Sequence, residues 1–422
     1  MNPERTLVML LAGGRGSRLG ILAADRAKPA VPFGGLYRII DFALSNVMHS
    51  KLRYVGVLTQ YRPSSLMNHL ANGSSWDLAG HTAKLKILPP YQGREDFDWY
   101  SGTSDAVFQN LALIRRYRPK RVLILSGDHI YRMNFRKMLD FHEERGAAAT
   151  LAAMPVPWEE THRFGILVPD DDGRVKQFQE KPKEKAFSNL ASMGIYVFDA
   201  DVLTEELIRT HKAGGNDFGG HLIPGLLARS NSVFIHRFEG YWRDVGTLDS
   251  YWAANMDLLD PASGMDLSTW KVRTNMDYES LHAMPPTWVS ATADLDRSVV
   301  SPGCRLEGRV SRSVLSPGVV VEPGAVVEDS VIMHRTVIRA GARVVRAVVD
   351  KHVEIGAGAL VGSRDASAAP NAANPDHLST GITVVGKRVS IAAGARLGAN
   401  VIVRPGAAVP AEDVPDGATI MG

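Results

Sequence analysis

The residues best equipped for chemistry begin with Leu11-Ala12-Gly13-Gly14-Arg15-Gly16-Ser17-Arg18-Leu19, which closes an apolar run starting at Thr6. Three glycines let backbone N–H groups approach a polyphosphate closely, and Arg15 and Arg18 add charge. This is not a dinucleotide fingerprint, because Leu19 stands where a third glycine belongs. It is not a Walker loop either, because no Gly-Lys-Ser/Thr closes it. A plain structural turn would look the same. Lys28, in Lys28-Pro29-Ala30, could fold back on the same phosphates as a point charge. Asp128 follows Gly127 at the end of the apolar run Val122–Leu125, a natural place for a Mg²⁺ ligand beside phosphates. A turn aspartate is the plain alternative, and His129 reads as structural. Glu180-Lys181-Pro182 pairs a carboxylate for sugar hydroxyls with a lysine for a sugar phosphate, although a charged strand end has the same look. Asp244, in Tyr241-Trp242-Arg243-Asp244-Val245-Gly246-Thr247, offers a second carboxylate. Two carboxylates from separate segments are what holding Mg²⁺ between a triphosphate and a second phosphate requires.

These groups need a scaffold. Apolar strand patterns occur at Thr6–Ala12, Tyr54–Thr59, Arg121–Ser126, Ala149–Met154, Ser192–Phe198 and Ser232–Phe238. Helical patterns lie between them, among them Ser104–Tyr117, with Val107, Leu111 and Ile114 on one face, and Asn134–Arg145. Strands alternating with helices predict an α/β domain with a mainly parallel sheet covered on both faces. Ligands then bind beyond the carboxyl ends of the strands, at Gly13–Arg18, Gln60 and Gly127–Asp128.

The pattern changes after residue 258. Residues 259–290, rich in Pro, Met and Trp, read as a linker. From 291 to 422 aliphatics recur every six residues: Val314, Val320, Val326, Ile332, Ile338 and Val344, then Val385, Ile391, Leu397, Val403 and Val409. A six-residue period fits neither a helix nor a hairpin sheet, but it fits a parallel β-helix, in which each short face turns one aliphatic inward. Ser363–Thr380, rich in Ala, Ser, Pro and Asn, reads as a projecting or mobile loop. The domains expected are therefore 1–258, a linker at 259–290, and 291–422.

Bulk properties set outer limits. The 422 residues carry 48 Lys+Arg against 45 Asp+Glu, a net charge of +3, which argues against coating nucleic acid or an anionic membrane. A phosphate site must then be a local cluster. One cysteine, Cys304, rules out an internal disulfide and a cysteine-based zinc site and suits a reducing cytoplasm. No stretch approaches the ~18–20 apolar residues of a membrane span.

The order of these elements resembles the sugar nucleotidylyltransferases, most closely the bacterial ADP-glucose pyrophosphorylases. Distinctive stretches are Arg26-Ala-Lys-Pro-Ala-Val, Arg38-Ile-Ile-Asp-Phe-Ala-Leu-Ser-Asn46, Trp99-Tyr100 with Gly102-Thr103, Gly127-Asp-His-Ile-Tyr131 and Ala191-Ser-Met-Gly-Ile-Tyr-Val-Phe-Asp199. The resemblance covers nearly all of residues 5–258 and continues more loosely beyond. It implies a Rossmann-like catalytic domain followed by a left-handed parallel β-helix, a homotetramer, and Mg²⁺-dependent adenylyl transfer from ATP to glucose 1-phosphate. Carried over by position, Gly13, Gly14, Arg15, Gly16, Arg18 and Gln60 would hold the nucleotide, with Arg18 and Lys28 near the reacting phosphate. Asp128 would be the catalytic metal ligand, joined by Asp244. Tyr100, Gly165, Glu180, Lys181, Ser192 and Asp217 would hold the sugar phosphate.

The chain departs from the family at its effector residues. Asp25 stands where a lysine is usual and Pro32 where a histidine is frequent, while Arg26, Arg38 and Arg116 match effector-binding arginines. The resemblance thus implies a phosphorylated-sugar effector, with a monophosphate favoured over a bisphosphate because Asp25 adds negative charge. Three other readings stay open: the same chemistry on another base or sugar, such as mannose-1-phosphate guanylyl transfer; added acyl transfer in the β-helix, using His334 or His352; and a non-catalytic regulatory subunit.

Overall fold

The computed structural model describes residues 6–14, 16–90, 99–230, 232–365 and 368–422. Arg15, expected at the nucleotide, lies outside the described residues. The chain forms two compact units. One comprises residues up to Gly14, Phe42–Gly127 and Tyr131–Gly240. The other gathers the segment ending at Asp41, Asp128–Ile130 and Tyr241–Gly422.

The first unit is built on nine strands: β1 Thr6–Leu11, β2 Tyr54–Leu58, β3 Lys84–Leu88, β4 Arg121–Ser126, β5 Ala149–Pro155, β6 Gly165–Pro169, β7 Val175–Glu180, β8 Leu190–Asp199 and β9 Val233–Arg237. Their order is β7-β6-β8-β4-β1-β2-β3, with β5 pairing β8 and β9. The stretch β4-β1-β2-β3 is parallel. Strand β8 then runs antiparallel to β4, β5 and β6. Buried on both faces, β1 and β4 can be apolar without alternation, and Val8–Leu10 and Val122–Leu125 are fully buried. That is why a short apolar run at the N-terminus makes a central strand.

The helix expected over Ser104–Tyr117 is instead two, Thr103–Gln109 and Leu111–Tyr117. Asn110 breaks it, with its side-chain amide donating to the carbonyl of Ala106 and to the hydroxyl of Tyr100. An asparagine that bonds the preceding turn competes with the helix ladder. Residues 134–145 behave as expected: Asn134 caps Phe135–Glu144 by accepting from the Arg136 amide.

The second unit is dominated by a left-handed parallel β-helix, three sheets of seven short strands each, starting at Trp288–Val289 and ending at Thr419–Ile420. Its first strand thus falls inside the span read as linker. The six-residue register holds, with one correction. Val320 pairs with Val337 and Val337 with Glu354, so these coils advance by 17 residues. One face in three is therefore a residue short, and a strict count of six drifts. Val321 and Val327 fill the core, while Val320 and Val326 are only half-buried. Leu315, Ile332, Ile338, Val344, Val349, Ile355 and Val361 continue the inner column.

The described part of the loop between the two tracts is mostly exposed but anchored at two buried residues. Asn371 is fully buried, and its amide nitrogen donates to the carbonyls of Asn400, Gly417 and Ala418. Asn400 in turn donates to the Ala369 carbonyl, and Leu378 is fully buried. Two buried amides supply the bonds that a loop of small residues cannot make by itself. Among the described residues no helix is long and apolar enough to cross a membrane.

Candidate active site

The second unit brings three of the expected residues together. The Nζ of Lys28 donates to Asp128 at 2.8 Å and to Asp244 at 2.9 Å. Each arrives from a different kind of element. Lys28 opens a single turn, Lys28–Ala30, whose following proline suits the first helical position. Asp128 immediately precedes the short strand His129–Tyr131, which pairs with Trp242–Asp244 and so sets the two aspartates side by side. Gly16 has φ of 64°, and a Cβ there would lie 3.0 Å from the Lys28 Cβ. A side chain there would be strained by that backbone conformation and would crowd the stem of Lys28.

Electrostatics follow from this packing. Burial alone would lower the Lys28 pKa, but Asp128 and Asp244 outweigh it and hold the ammonium above its ordinary value. Burial would likewise raise Asp244, yet Lys28 and then His129 hold it below the usual carboxylate range. The cluster is not sealed. Asp128 keeps 30% of its side-chain surface, and Arg18, 48% exposed, reaches Asp244 at 4.0 Å.

His129, read from sequence as structural, belongs here. Its Nε2 lies 3.4 Å from Asp128 and 4.0 Å from Asp244, and its ring stands edge-on to Trp242. Asp128, His129 and Asp244 each offer one ligand atom within 4.8 Å of the others. The only sequence signal for this was its adjacency to Asp128. Two carboxylate oxygens suit a hard divalent cation such as Mg²⁺, and the imidazole adds a softer donor. The donor set fits a divalent ion, and Lys28 marks where positive charge is needed.

The first unit holds the other group. Gln60 donates to the Tyr100 carbonyl at 3.0 Å, and the Tyr100 hydroxyl donates to the Leu88 carbonyl. Gly13 packs directly on Gln60. Glu180 lies against Gly165 and Gly219, and a Cβ on Gly219 would collide with its carboxylate. Lys181, with φ of 44°, is 64% exposed and 3.3 Å from Glu180. Ser192 shares a hydrogen bond with the Tyr196 hydroxyl, whose pKa burial pushes up. Asp217 is committed to architecture: it accepts from the amides of Gly219 and Gly220 and from the Thr103 hydroxyl.

Of the arginines matched to an effector, Arg26 and Arg38 lie in the second unit within electrostatic reach of each other. Arg116 is an exposed residue of the first unit. In the second, Arg26 is buried and bonded to Asp350. Arg38, also buried, donates to the Ala30 carbonyl, lies 3.5 Å from Glu279 and covers the Tyr278 ring. Glu279 in turn accepts from Lys351 at 2.7 and 2.9 Å.

A mixed sheet with a glycine loop after its first strand, two carboxylates drawn onto a lysine, and a hexapeptide β-helix define a class. A nucleotidyl transferase family model matches residues 7–261, and a GlmU-like C-terminal hexapeptide model matches residues 289–385. Glucose-1-phosphate adenylyltransferase of Acetivibrio thermocellus is 42% identical over 98% of this chain and 96% of its own length. That of Thermomicrobium roseum is 48% identical over 98% and 97%, and that of Clostridioides difficile 47% over 79% and 86%. The chain belongs to the glucose-1-phosphate adenylyltransferase family.

Proposed function

We propose that this protein transfers the adenylyl group of ATP to glucose 1-phosphate with Mg²⁺, forming ADP-glucose and pyrophosphate for α-glucan synthesis. The observation that carries this reading is Lys28 held between Asp128 and Asp244, with Arg18 beside them.

Chemically the reaction asks little covalent help of the chain. The sugar phosphate is mostly dianionic at neutral pH, its second pKa being about 6 as for phosphoserine, so its oxygen needs no general base. What remains is neutralising crowded negative charge and aligning the attack. Gly13, Gly14, Arg15 and Gly16 line the triphosphate with backbone N–H groups and charge, and Gln60 sits beside them. Arg18 and Lys28 neutralise the reacting phosphate. Asp128 and Asp244 hold the Mg²⁺, which supplies charge stabilisation at the phosphates. Glu180 accepts from sugar hydroxyls, Lys181 pairs with the sugar phosphate, and Tyr100, Gly165, Ser192 and Asp217 shape the rest of that pocket.

The same reading takes the protein as a cytoplasmic homotetramer responsive to a phosphorylated sugar. At Arg26 and Arg38 the phosphate would exchange for Asp350 and Glu279. Asp25 disfavours a bisphosphate there, so the expected activator is a monophosphate.

A substrate panel tests the core reading: each nucleoside triphosphate with each hexose 1-phosphate, with and without Mg²⁺, measuring pyrophosphate. ATP with glucose 1-phosphate should give the highest kcat/KM. A higher value for another pair, or for none, would overturn it.

A further inference from the structure

The short strand Trp242–Asp244 delivers one carboxylate of the open cluster, and it is held from both of its faces. Successive side chains of an extended segment point to opposite sides. Trp242 and Asp244 turn toward the cluster. The Trp242 ring stands edge-on to His129, and Asp244 accepts from Lys28 at 2.9 Å. Tyr241, just before the strand, and Arg243 alternate with them and meet a different carboxylate. The Tyr241 hydroxyl donates to Oδ2 of Asp257 at 2.7 Å, and the Arg243 guanidinium reaches the same oxygen at 3.2 Å. One oxygen thus ties down every second residue of the segment.

This clasp sits in a sheltered place. Asp257 keeps only 23% of its side-chain surface, where an ion pair is screened less than in open water. Burial, then the bond to Asp257, push the Tyr241 phenol up, so it stays a donor. The Tyr241 ring packs 5.9 Å from that of Trp270.

Asp257 ends the helix Leu248–Asp257, which is itself fixed. Thr247 and Ser250 close its first turn in a reciprocal cap. The Tyr251 hydroxyl donates to the Pro32 carbonyl at 2.6 Å, four residues on from Lys28. On the β-helix side, the Trp252 indole donates to the Asp329 carbonyl at 2.8 Å, with the Arg346 guanidinium over its ring. Only Val245, Gly246 and Thr247 connect Asp244 to this helix. A Cβ on Gly246 would lie 2.9 Å from the Asp244 carboxylate and 3.0 Å from Arg18. Strand, turn and helix therefore close a tight ring, and Asp257 is its clasp.

We propose that Asp257 is a positioning residue for Asp244. By holding Tyr241 and Arg243 it fixes the rotation of the strand about its own axis. That rotation sets the direction in which the Asp244 carboxylate points at Lys28 and Asp128. The consequence for a bound metal rests on the role proposed for Asp244 above, whereas the clasp itself does not.

The test compares wild type with Asp257→Ala, Asp257→Asn, Tyr241→Phe and Asp244→Asn, all in the full chain. Two readouts are taken: Mn²⁺ affinity without substrates, by electron paramagnetic resonance, and steady-state pyrophosphate release. Asp257→Ala should lose about tenfold in Mn²⁺ affinity and in kcat, while the KM for glucose 1-phosphate stays within about twofold. Asp257→Asn still accepts from Tyr241, and Tyr241→Phe leaves Arg243 paired, so both should fall between wild type and Asp257→Ala. Should Asp257→Ala fail to fold, these two carry the same comparison. Adding Asp257→Ala or Asp257→Asn to Asp244→Asn should cost no further turnover, because the effect runs through Asp244. Wild-type Mn²⁺ affinity and kcat in the folded Asp257 variants, or a further loss of turnover in the double variant, overturns the role. A KM for glucose 1-phosphate that rises as much as kcat falls overturns it too, and makes Asp257 a general support of the fold. If Asp244→Asn keeps wild-type Mn²⁺ affinity, the metal role of Asp244 falls, and the double variant still decides whether Asp257 acts through it.

Discussion

The second unit contains two clusters made of the same ingredients, cations against carboxylates, and they differ in one respect. Around Lys28, Asp128 and Asp244 the shell is open: Asp128 and Arg18 keep solvent. Around Arg26 with Asp350 it is closed, at 6% and 1% side-chain exposure, while Glu279, against Arg38 and Lys351, keeps 26%. An open cluster can exchange its internal cation for a metal and a substrate. A closed one has already spent its charges on each other, and removing one partner strands the other in low dielectric. Identical residue types thus differ in how readily they exchange partners, and access sets the difference.

The sharpest attack on this distinction is Lys28→Met. With the ammonium gone, Asp128 and Asp244 should bind Mn²⁺ more tightly in the absence of substrates, read by electron paramagnetic resonance. Turnover should nevertheless fall about 10²–10³-fold, as when one charge-stabilising donor is lost. Unchanged Mn²⁺ affinity would mean that Lys28 does not occupy the place of the metal.

A purely structural counterpart is Asn371→Ala. It leaves several buried carbonyls with fewer donors, at about 1–3 kcal/mol per unsatisfied group. A lower midpoint in urea with unaltered KM values is expected; a midpoint within error of wild type would show that the loop is not fastened there.

At the sugar side, Lys181→Ala should raise the KM for glucose 1-phosphate roughly tenfold and leave that for ATP alone, since the role proposed for its exposed charge is to meet the sugar phosphate and nothing else. An equal rise in both would make it a residue that shapes the whole site.

The smallest effect is on pH. Burial, then Arg38, push Lys351 down to about 7, whereas an unfolded lysine titrates near 10.5. The unfolded chain therefore binds more protons between these values, so stability should rise with pH across that window, and Lys351→Met should flatten the rise. At the open cluster the sign is the same and the window is acidic: Asp244 is held low, so its contribution is present above about pH 3.8 and fades as pH falls through its folded value. Urea midpoints from pH 7 to 10 read the first, and acid unfolding of Asp244→Asn reads the second.

How much of this was legible in the sequence depended on distance along the chain. The glycine loop and Asp128 could be read because each ends an apolar strand, and Asp244 because a second carboxylate was required. The bridging position of Lys28 could not, since 100 residues separate it from Asp128 and 216 from Asp244. The closed cluster was hidden for the same reason: Arg26 and Asp350 are 324 positions apart. In the β-helix the period was plain, but the short third face was not, because Val320 and Val321 offer the same side chain to either register. The anchors of the loop were not legible because its composition is that of an exposed segment, and only the burial of Asn371 and Leu378 marks where it is fastened.

One paired measurement bears most directly on the contrast: turnover and melting temperature of Asp128→Asn and Asp350→Asn, side by side. The account predicts that Asp128→Asn melts near wild type but loses at least 10²-fold in turnover. It predicts that Asp350→Asn, which strands a buried arginine, loses about 3–5 kcal/mol of stability while what remains folded still turns over within severalfold of wild type. A stable Asp350→Asn, or an Asp128→Asn that keeps its turnover at saturating Mg²⁺, would contradict it.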